Sequence, residues 1–595
     1  MAKYGQESDL IQALERLDSE ADEVKKGFDD RVEQNLGEVR GTSQWKIKER
    51  KPYFQYNVIR ENIDAKVGKV SEMKPRVKIL PMRNGLGDAA EVLMKCSDYL
   101  WHETSMNSKL ERVGHYGADM GVAFASTAWR PEIRFGEGEV DVIIHDPRGV
   151  KVDPSVKDPA ELKRAEYVII EDIVPLGVIH DQIPGRGAMV VPDSRYSTYQ
   201  KPDKSTAGRV KSAAAKLGAK SGQFPQGMAI PRCIIDTYWI QDRRKSVGDP
   251  GDFPIIENLT ETASGNGRPF PGGRKIIVGR GANGKIVLRD TYNEFWDGEW
   301  PIDMLSWNID LETIWGPDDV QRQIKLQEAI NRTGDAFVGN ILKNAIIRLM
   351  VDRGAMDPKQ TKAYAEDAAE IIFKNPGREV VQTVPAILPD YVMNLVGNLV
   401  ELSKRNIGVL DAQLQKQMPS IVTGPAIEGL QLAVEGSIRT AARRMEEFTE
   451  RIGQKMVSRA FQFFTSDRIL HYVGDAGLWK SFEYQRSKLL LVPDDKKPGQ
   501  FRPRSIEELQ KAYRDFRYVV EPGSSLAITK LQRASLKFES FKAGGYRLSK
   551  VMEEFGIENA KEEMEKAKEE REEFGIDPMQ TDGRKKQRTL GEGAI

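Results

Sequence analysis

Five histidines (His102, His115, His145, His180 and His471) and two cysteines (Cys96 and Cys233) are the residues most apt for catalysis or metal binding in this 595-residue chain. No two histidines lie four apart, the spacing that sets a zinc-ligating pair on one helix face, and no HExxH occurs. The cysteines are far apart and form neither a metal-ligand motif nor a disulfide framework. Gly68-Lys69 and Gly284-Lys285 are followed by Val and Ile, so no Walker-type phosphate cradle is present. One GxGxxG match, Gly279 to Gly284, would suit a dinucleotide if a helix followed it. RKIIV precedes and KIVLRD follows, and both read as strands, so the glycines predict a hairpin turn. HDPRGVKVDPSVKDPAE places a proline after Asp146, Asp153 and Asp158. Carboxylates suit calcium, but the spacing is not that of an EF-hand, and Asp-Pro steps open turns. The reading is turns between short strands, with no metal, no cofactor and no catalytic site expected.

Charge narrows the class further. Basic and acidic residues balance at 89 each. A protein whose main task is gripping nucleic acid is usually basic, because phosphate neutralisation dominates that affinity. A DNA-handling role for this chain would therefore be one without tight grip. No apolar run reaches the ~18 residues a membrane span needs. The start, MAKYGQESDL, lacks the apolar stretch of a signal peptide, which points to synthesis and use in a cytosol.

The elements that must position these residues read as α+β, with several domains in a chain of this length. Residues 1–35 look helical, with Leu10, Ile11, Leu14 and Leu17 as apolar positions. NVIRENIDAKVGKVSEMKP predicts an amphipathic helix, and 87–122 further helices. AFASTAWRPEI, GEVDVIIHDPRGVKVDP and EYVIIEDIV then alternate strands with turns. Residues 196–225 break the pattern as a Lys/Ser/Gly/Ala-rich insertion. Six basic residues against Asp203 within 201–220 permit a nucleic-acid patch there, although a solvated loop explains the composition as well. Strands resume at Cys233 and end at PIDMLSWNIDLETIWGP.

A helix is predicted from Pro317, with Asp318 and Asp319 in its first turn, to about Asn344, a length of about 40 Å. Ala345 to Pro389 forms a small insert: IIRLMV, a charged helix in PKQTKAYAEDAAEIIF, then KNPGREVVQTVPAILP. A second helix runs from Asp390 to Ile407. The stretch GVLDAQLQKQMPSIVTGPAIEGL follows. Gly408, Pro419 and Gly424-Pro425 stop any helix from crossing it, and between Val409 and Gly424 it carries only Asp411 and Lys416 as charges. From Pro425 a helix about 60 Å long is expected, with a buried stripe running from Ile427 through Ile438, Met445, Phe448, Ile452, Met456 and Ala460 to Phe463. A helix of that length outgrows most single cores, which favours a partner or ring scaffold as its cover. Short strands, a helix near Ser505–Phe516, and a strand in FRYVVEPGSS come next. Residues 553–573 hold ten Glu against four Lys or Arg, an acidic exposed helical region, and the tail is basic.

This order of parts resembles the portal (head-to-tail connector) proteins of tailed bacteriophages, most closely the P22-type family. The resemblance rests on NVIRENIDAKVGKVSEMKP, HDPRGVKVDPSVKDPAELKRAEYVI, IWGPDDVQRQIKLQEAINR, the 408–430 stretch with its following helix, and VVEPGSSLAITKLQRASLKFESFKAGG, and covers roughly residues 57–557. It implies an α+β wing, a long helical stem, a small α/β clip inserted between the stem helices, and a helical crown. The implied divisions are an N-terminal helical arm (1–45), wing (46–316), stem helices (317–344 and 390–408), clip (345–389), tunnel loop (409–424), long tunnel helix (425–465), wing return strands (466–520) and crown with basic tail (521–595). The family's best-known member carries a long C-terminal helical barrel, for which this chain is expected to end too soon, and the 201–220 insertion has no obvious counterpart.

The resemblance implies a homo-dodecamer at one capsid vertex of the virion, assembled in the host cytoplasm without membrane contact. Double-stranded DNA would pass through it without sequence specificity. Its partners would be the terminase large subunit, head-completion and tail proteins, and major capsid and scaffolding proteins. Tunnel-loop residues Gln413, Gln415, Lys416, Gln417, Ser420 and Thr423 would line the channel. Arg439, Arg443 and Arg444 would pair between subunits with Glu446, Glu447 and Glu450, DNA contact being the alternative. Arg353, Lys359, Lys362, Glu366, Lys374 and Arg378 would form the clip docking surface. The rival readings are a nucleic-acid-processing enzyme or its regulatory subunit, and another helical scaffold such as a filament.

Overall fold

The computed structural model of the chain describes residues 6–42, 54–71, 77–192, 231–249, 251–263, 268–345, 347–352, 369–374, 391–408, 436–465, 467–473, 479–493 and 501–520. The tunnel-loop residues, the 201–220 insertion, the acidic 553–573 region and the tail lie outside these. So do the clip residues Arg353, Lys359, Lys362, Glu366 and Arg378.

Helix α1 (Glu7–Val39) opens the chain, and its first turn carries Glu7 and Asp9, negative charge that suits the positive end of the helix dipole. Its apolar face serves two cores. Leu10, Leu14 and Ala21 pack with Tyr238, Ile240, Ile276, Val278 and Val287. Phe28 and Val32 join Val122, Phe124, Trp239, Trp300 and Trp315. The segment expected as a helical arm is therefore laid into the body, because successive parts of its apolar stripe find different covers.

Helices α2 (Val58–Ser71), α3 (Gly87–Glu103) and α4 (Met106–Met120) follow, with strand β1 (Val77–Pro81) between α2 and α3. Strand β2 (Val122–Arg130) is central to a three-stranded sheet, flanked by β3 (Glu139–His145) and β9 (Ile302–Ser306). A five-stranded antiparallel sheet runs in order through β4 (Val150–Val152), β5 (Tyr167–Pro175), β6 (Arg232–Ile240), β7 (Arg274–Gly281) and β8 (Gly284–Tyr292); the short helix α5 (Leu176–Gln182) follows β5. The glycine-rich GRGANG is the β7–β8 hairpin, with Gly281 paired to Gly284 across a two-residue turn. The Asp-Pro steps are turns too. Asp146 accepts from Arg148 N, Asp158 from Ala160 N, and Asp153 from Ser155 N and Glu166 N, so their carboxylates are occupied by backbone.

Helix α6 (Gln321–Ala345) starts four residues later than Pro317 because Asp318 caps it, accepting from Gln321 N at 2.7 Å. Helix α7 (Tyr391–Asn406) packs against it, with Asn406 donating to Arg322 O and Ser403 to Gln323. Between the two lie β10 (Ile347–Asp352) and β11 (Ala369–Lys374), paired in parallel. Residues 369–374, read as the end of a charged helix, are thus a strand: AEIIFK finds a parallel partner that outweighs its helical pattern. A parallel pair needs a crossover of about a dozen residues or more, which the intervening 353–368 supplies.

Helix α8 (Gly436–Phe463) runs through the body. Its stripe Ile438, Ala441, Met445, Phe448, Ile452, Met456 and Ala460 is buried. It packs on β2, β9, α2, α3 and β16 (Phe516–Val520), which pairs with β1. Over these residues the chain itself covers the stripe expected to need a partner; much of that cover comes from strands far away in sequence. Trp129 stacks on Phe463, ring centroids 5.0 Å apart. The return segment also holds helices α9 (Arg486–Leu490) and α10 (Ile506–Lys511) and the pair β14 (Leu491–Pro493) and β15 (Phe501–Pro503). Helix α10 begins with a Ser505/Glu508 capping box. Strands β12 (Arg468–Val473) and β13 (Trp479–Tyr484) form an antiparallel hairpin in a second compact unit.

Candidate functional site

A dense set of polar contacts surrounds the start of α6. Trp307 follows β9, and its backbone N–H donates to Gly121 O at 2.8 Å. Gly121 has a left-handed φ of 88°, and a Cβ there would lie 2.3 Å from Gly316 O, so only glycine fits this close approach. Asp319 N in turn donates to Ala118 O. These backbone bonds tie the end of α4 to the start of the α6 segment.

Two aspartates then anchor the root. Asp319, fully buried, meets Lys66 Nζ at 2.7 Å and Trp307 Nε1 at 2.7 Å. Lys66 also lies 5.5 Å from the Trp307 ring centroid. Asp318, equally buried, faces Arg31 Nε at 3.1 Å, while Arg31 Nη2 donates to the carbonyls of Trp315 and Gly316. Amides extend the root along α6. Gln321 donates to Asn35 of α1, Asn62 of α2 donates to Gln323, and Gln327 accepts from Val58 N and Ile59 N. Helix α6 is thus joined to α1, α2 and α4 by buried polar contacts, which hold one geometry where apolar contacts would tolerate several. Asp119 lies at the same junction. It is buried, its Oδ1 has no hydrogen-bond partner, and desolvation pushes its carboxyl up to about 7.

A second set of bonds lines α8. Lys455 donates to Ile302 O at 2.8 Å and Arg451 to Met304 O at 2.8 Å, two residues apart on the outer edge of β9. Lys455 also pairs with buried Asp303 at 2.9 Å. Arg444 donates to Trp307 O and Arg459 to Asp297. The basic side chains of α8 thus satisfy the carbonyls an edge strand would leave open. Burial holds the Lys455 ammonium and the Arg459 guanidinium below their ordinary pKa.

Of the residues assigned to inter-subunit pairing, Arg444 is engaged within its own chain. Arg443 and Glu447 are exposed; Arg439, Glu446 and Glu450 are half-buried. Lys374 ends strand β11.

Sequence reading missed one constellation altogether. Ser126 Oγ and His145 Nε2 share a 2.7 Å hydrogen bond, and His145 Nδ1 lies 3.4 Å from Asp172 Oδ1. The order is that of a hydrolase triad. Ser126, however, is buried in mid-strand β2 with neighbours paired on both sides, leaving no approach for an acyl group. The contact serves to link β2, β3 and β5. Only the register of β2 on β3 and the place of β5 in the other sheet bring the three together, so no sequence spacing marks them.

No helix among the described residues is long and apolar enough to cross a membrane. No curated protein matches the chain. Residues 33–247, from the end of α1 to just past β6, match the family model described as Phage P22-like portal protein, so the resemblance read from the order of motifs holds over this stretch.

Proposed function

We propose that the chain is the subunit of a ring-shaped phage portal, a dodecamer at one capsid vertex through which DNA is packaged and later ejected. The observation that carries this reading is the family match over residues 33–247. It is supported by the paired helices α6 and α7, which flank an inserted β10–β11 module and root in a buried polar junction.

In this reading α6 and α7 are the stem, residues 345–389 the clip and 409–424 the tunnel loop. The clip presents Arg353, Lys359, Lys362, Glu366, Lys374 and Arg378 to the terminase large subunit during packaging, and to head-completion and tail proteins afterwards. A loop facing moving DNA cannot hold phosphate hard, since each firm cation adds salt-dependent affinity and a ring multiplies it. Gln413, Gln415 and Gln417 offer exchangeable hydrogen bonds, and Lys416 one charge per subunit. The protein is a structural conduit and the ATPase is a separate molecule.

Deleting Gln413–Gln417 tests the role of the loop. Rings should still assemble, and DNA packaging or retention should fail. Loss of assembly would make the loop a subunit contact instead.

A further inference from the structure

A cleft of about 330 Å³ opens between α8, the turn at Asp297–Glu299 and the segment Tyr513–Arg517. That volume is in the range that admits a side chain or small ligand. Its acidic lining is already neutralised: Arg459 holds Asp297, and Lys163 holds Glu299 at 2.7 Å. Lys455, at the cleft wall, is taken by Asp303 and Ile302 O.

Two cations remain available. Arg514 is exposed; its Nε donates to the Tyr513 hydroxyl at 3.0 Å, and no other hydrogen bond or ion pair engages it among the described residues. Arg517 is exposed on β16, and its side chain makes no hydrogen bond or ion pair with any described residue.

Apolar surface adjoins them. Leu80 is the register partner of Arg517 across the β1–β16 ribbon, and Met82 N bonds to Asp515 O just beyond it. Leu80 is 46% exposed and Met82 61%, unusual for large apolar side chains next to a cleft. The other face of the ribbon, with Ile79, Phe516, Tyr518 and Val520, is buried. A surface with unpaired guanidinium groups beside exposed apolar side chains and a cavity is complementary to carboxylate and hydrocarbon together. Nucleic acid supplies an anion as phosphate but has no aliphatic anchor to match the apolar side chains.

We propose that this cleft and the outer face of the ribbon dock an acidic segment of a partner protein. Carboxylates of that segment pair with Arg514 and Arg517, and one of its apolar side chains enters the cleft against Met82, with Leu80 on the adjoining ribbon face. The site goes beyond the portal reading and does not depend on ring formation, so a failure here leaves that reading intact.

The test uses the full-length chain and a short fluorescein-labelled peptide carrying one phenylalanine among glutamates, followed by fluorescence anisotropy. Saturable binding is expected that weakens as salt rises. Reversal of both cations (R514E with R517E) should weaken it by about tenfold or more, and Met82→Asp by several-fold. Both arginines are exposed, and an unchanged melting temperature will show that the double variant is folded; if it is not, Arg517→Glu alone should give a several-fold loss. Absence of saturable binding would overturn the proposal. So would affinity unaffected by the reversals. Displacement of the peptide by inorganic phosphate or by short duplex DNA at equal charge concentration would also overturn it, marking a general anion site.

Discussion

Asp319 and Asp119 stand at the same junction in opposite circumstances. Asp319 has a lysine, an indole N–H and an amide around it. Asp319→Asn should leave Lys66 buried without a counter-charge and destabilise the protein by about 3–5 kcal/mol. A clear drop in melting temperature is expected, and an unchanged one would mean the pair is not what secures the junction. Asp119 has no such partner, and burial raises its pKa from 3.8 to about 7. The folded state therefore binds this proton more tightly than the unfolded chain does. Ionised Asp119 opposes folding, an effect that is absent below the unfolded pKa, grows as pH rises, and is complete above the folded one. Asp119→Asn should raise the melting temperature at pH 8, by the equivalent of about 4 kcal/mol at most, with the gain shrinking toward pH 5. Parallel melting curves for the two proteins across that range would contradict this. Neither role was legible in the sequence, where Asp319 read as a first-turn helix aspartate and nothing singled out Asp119. Lys66 and Asp319 are partners across 253 positions. Arg444, which the resemblance assigned to pairing between subunits, donates to the carbonyl of Trp307 within its own chain.

At the scale of elements, periodicity carried further. The strands AFASTAW, VDVII, YVIIEDIV, CIIDTYWI, RKIIVG and KIVLRD each fall in an observed strand, and α2, α3, α4 and α7 lie close to their expected bounds. Alternation and turn residues are local signals, so they survive without tertiary context. What failed needed that context. AEIIFK became a strand through β10, α1 became part of two cores through sheets far along the chain, and α8 found its cover in β2, β9 and β16. The closeness of that last packing is measurable. A Cβ on Gly453 would sit 2.1 Å from Tyr518 Cζ. Gly453→Ala should therefore force α8 away from the β1–β16 ribbon. The overpacking should cost about 1–3 kcal/mol despite alanine's better helix propensity. A variant as stable as the parent would show that the helix packs more loosely there.

For the whole molecule, the proposed conduit rests on the match to a P22-like portal family model over residues 33–247. The residues proposed to face a channel rest on the resemblance alone, since no spacing or composition rule defines a pore lining. Exposed Arg443 and Glu447 on α8 are the assigned groups best placed to meet a neighbouring subunit. Arg443→Glu should weaken assembly at low salt, with partial recovery as added salt screens the repulsion. Assembly that is indifferent to the charge at this position would remove it from the interface.

The most direct measurement is negative-stain electron microscopy of the purified chain over a range of concentrations. The account predicts closed rings of uniform subunit number with a central hole wide enough for duplex DNA. Particles that stay single at every concentration, or that grow as open filaments, would contradict it.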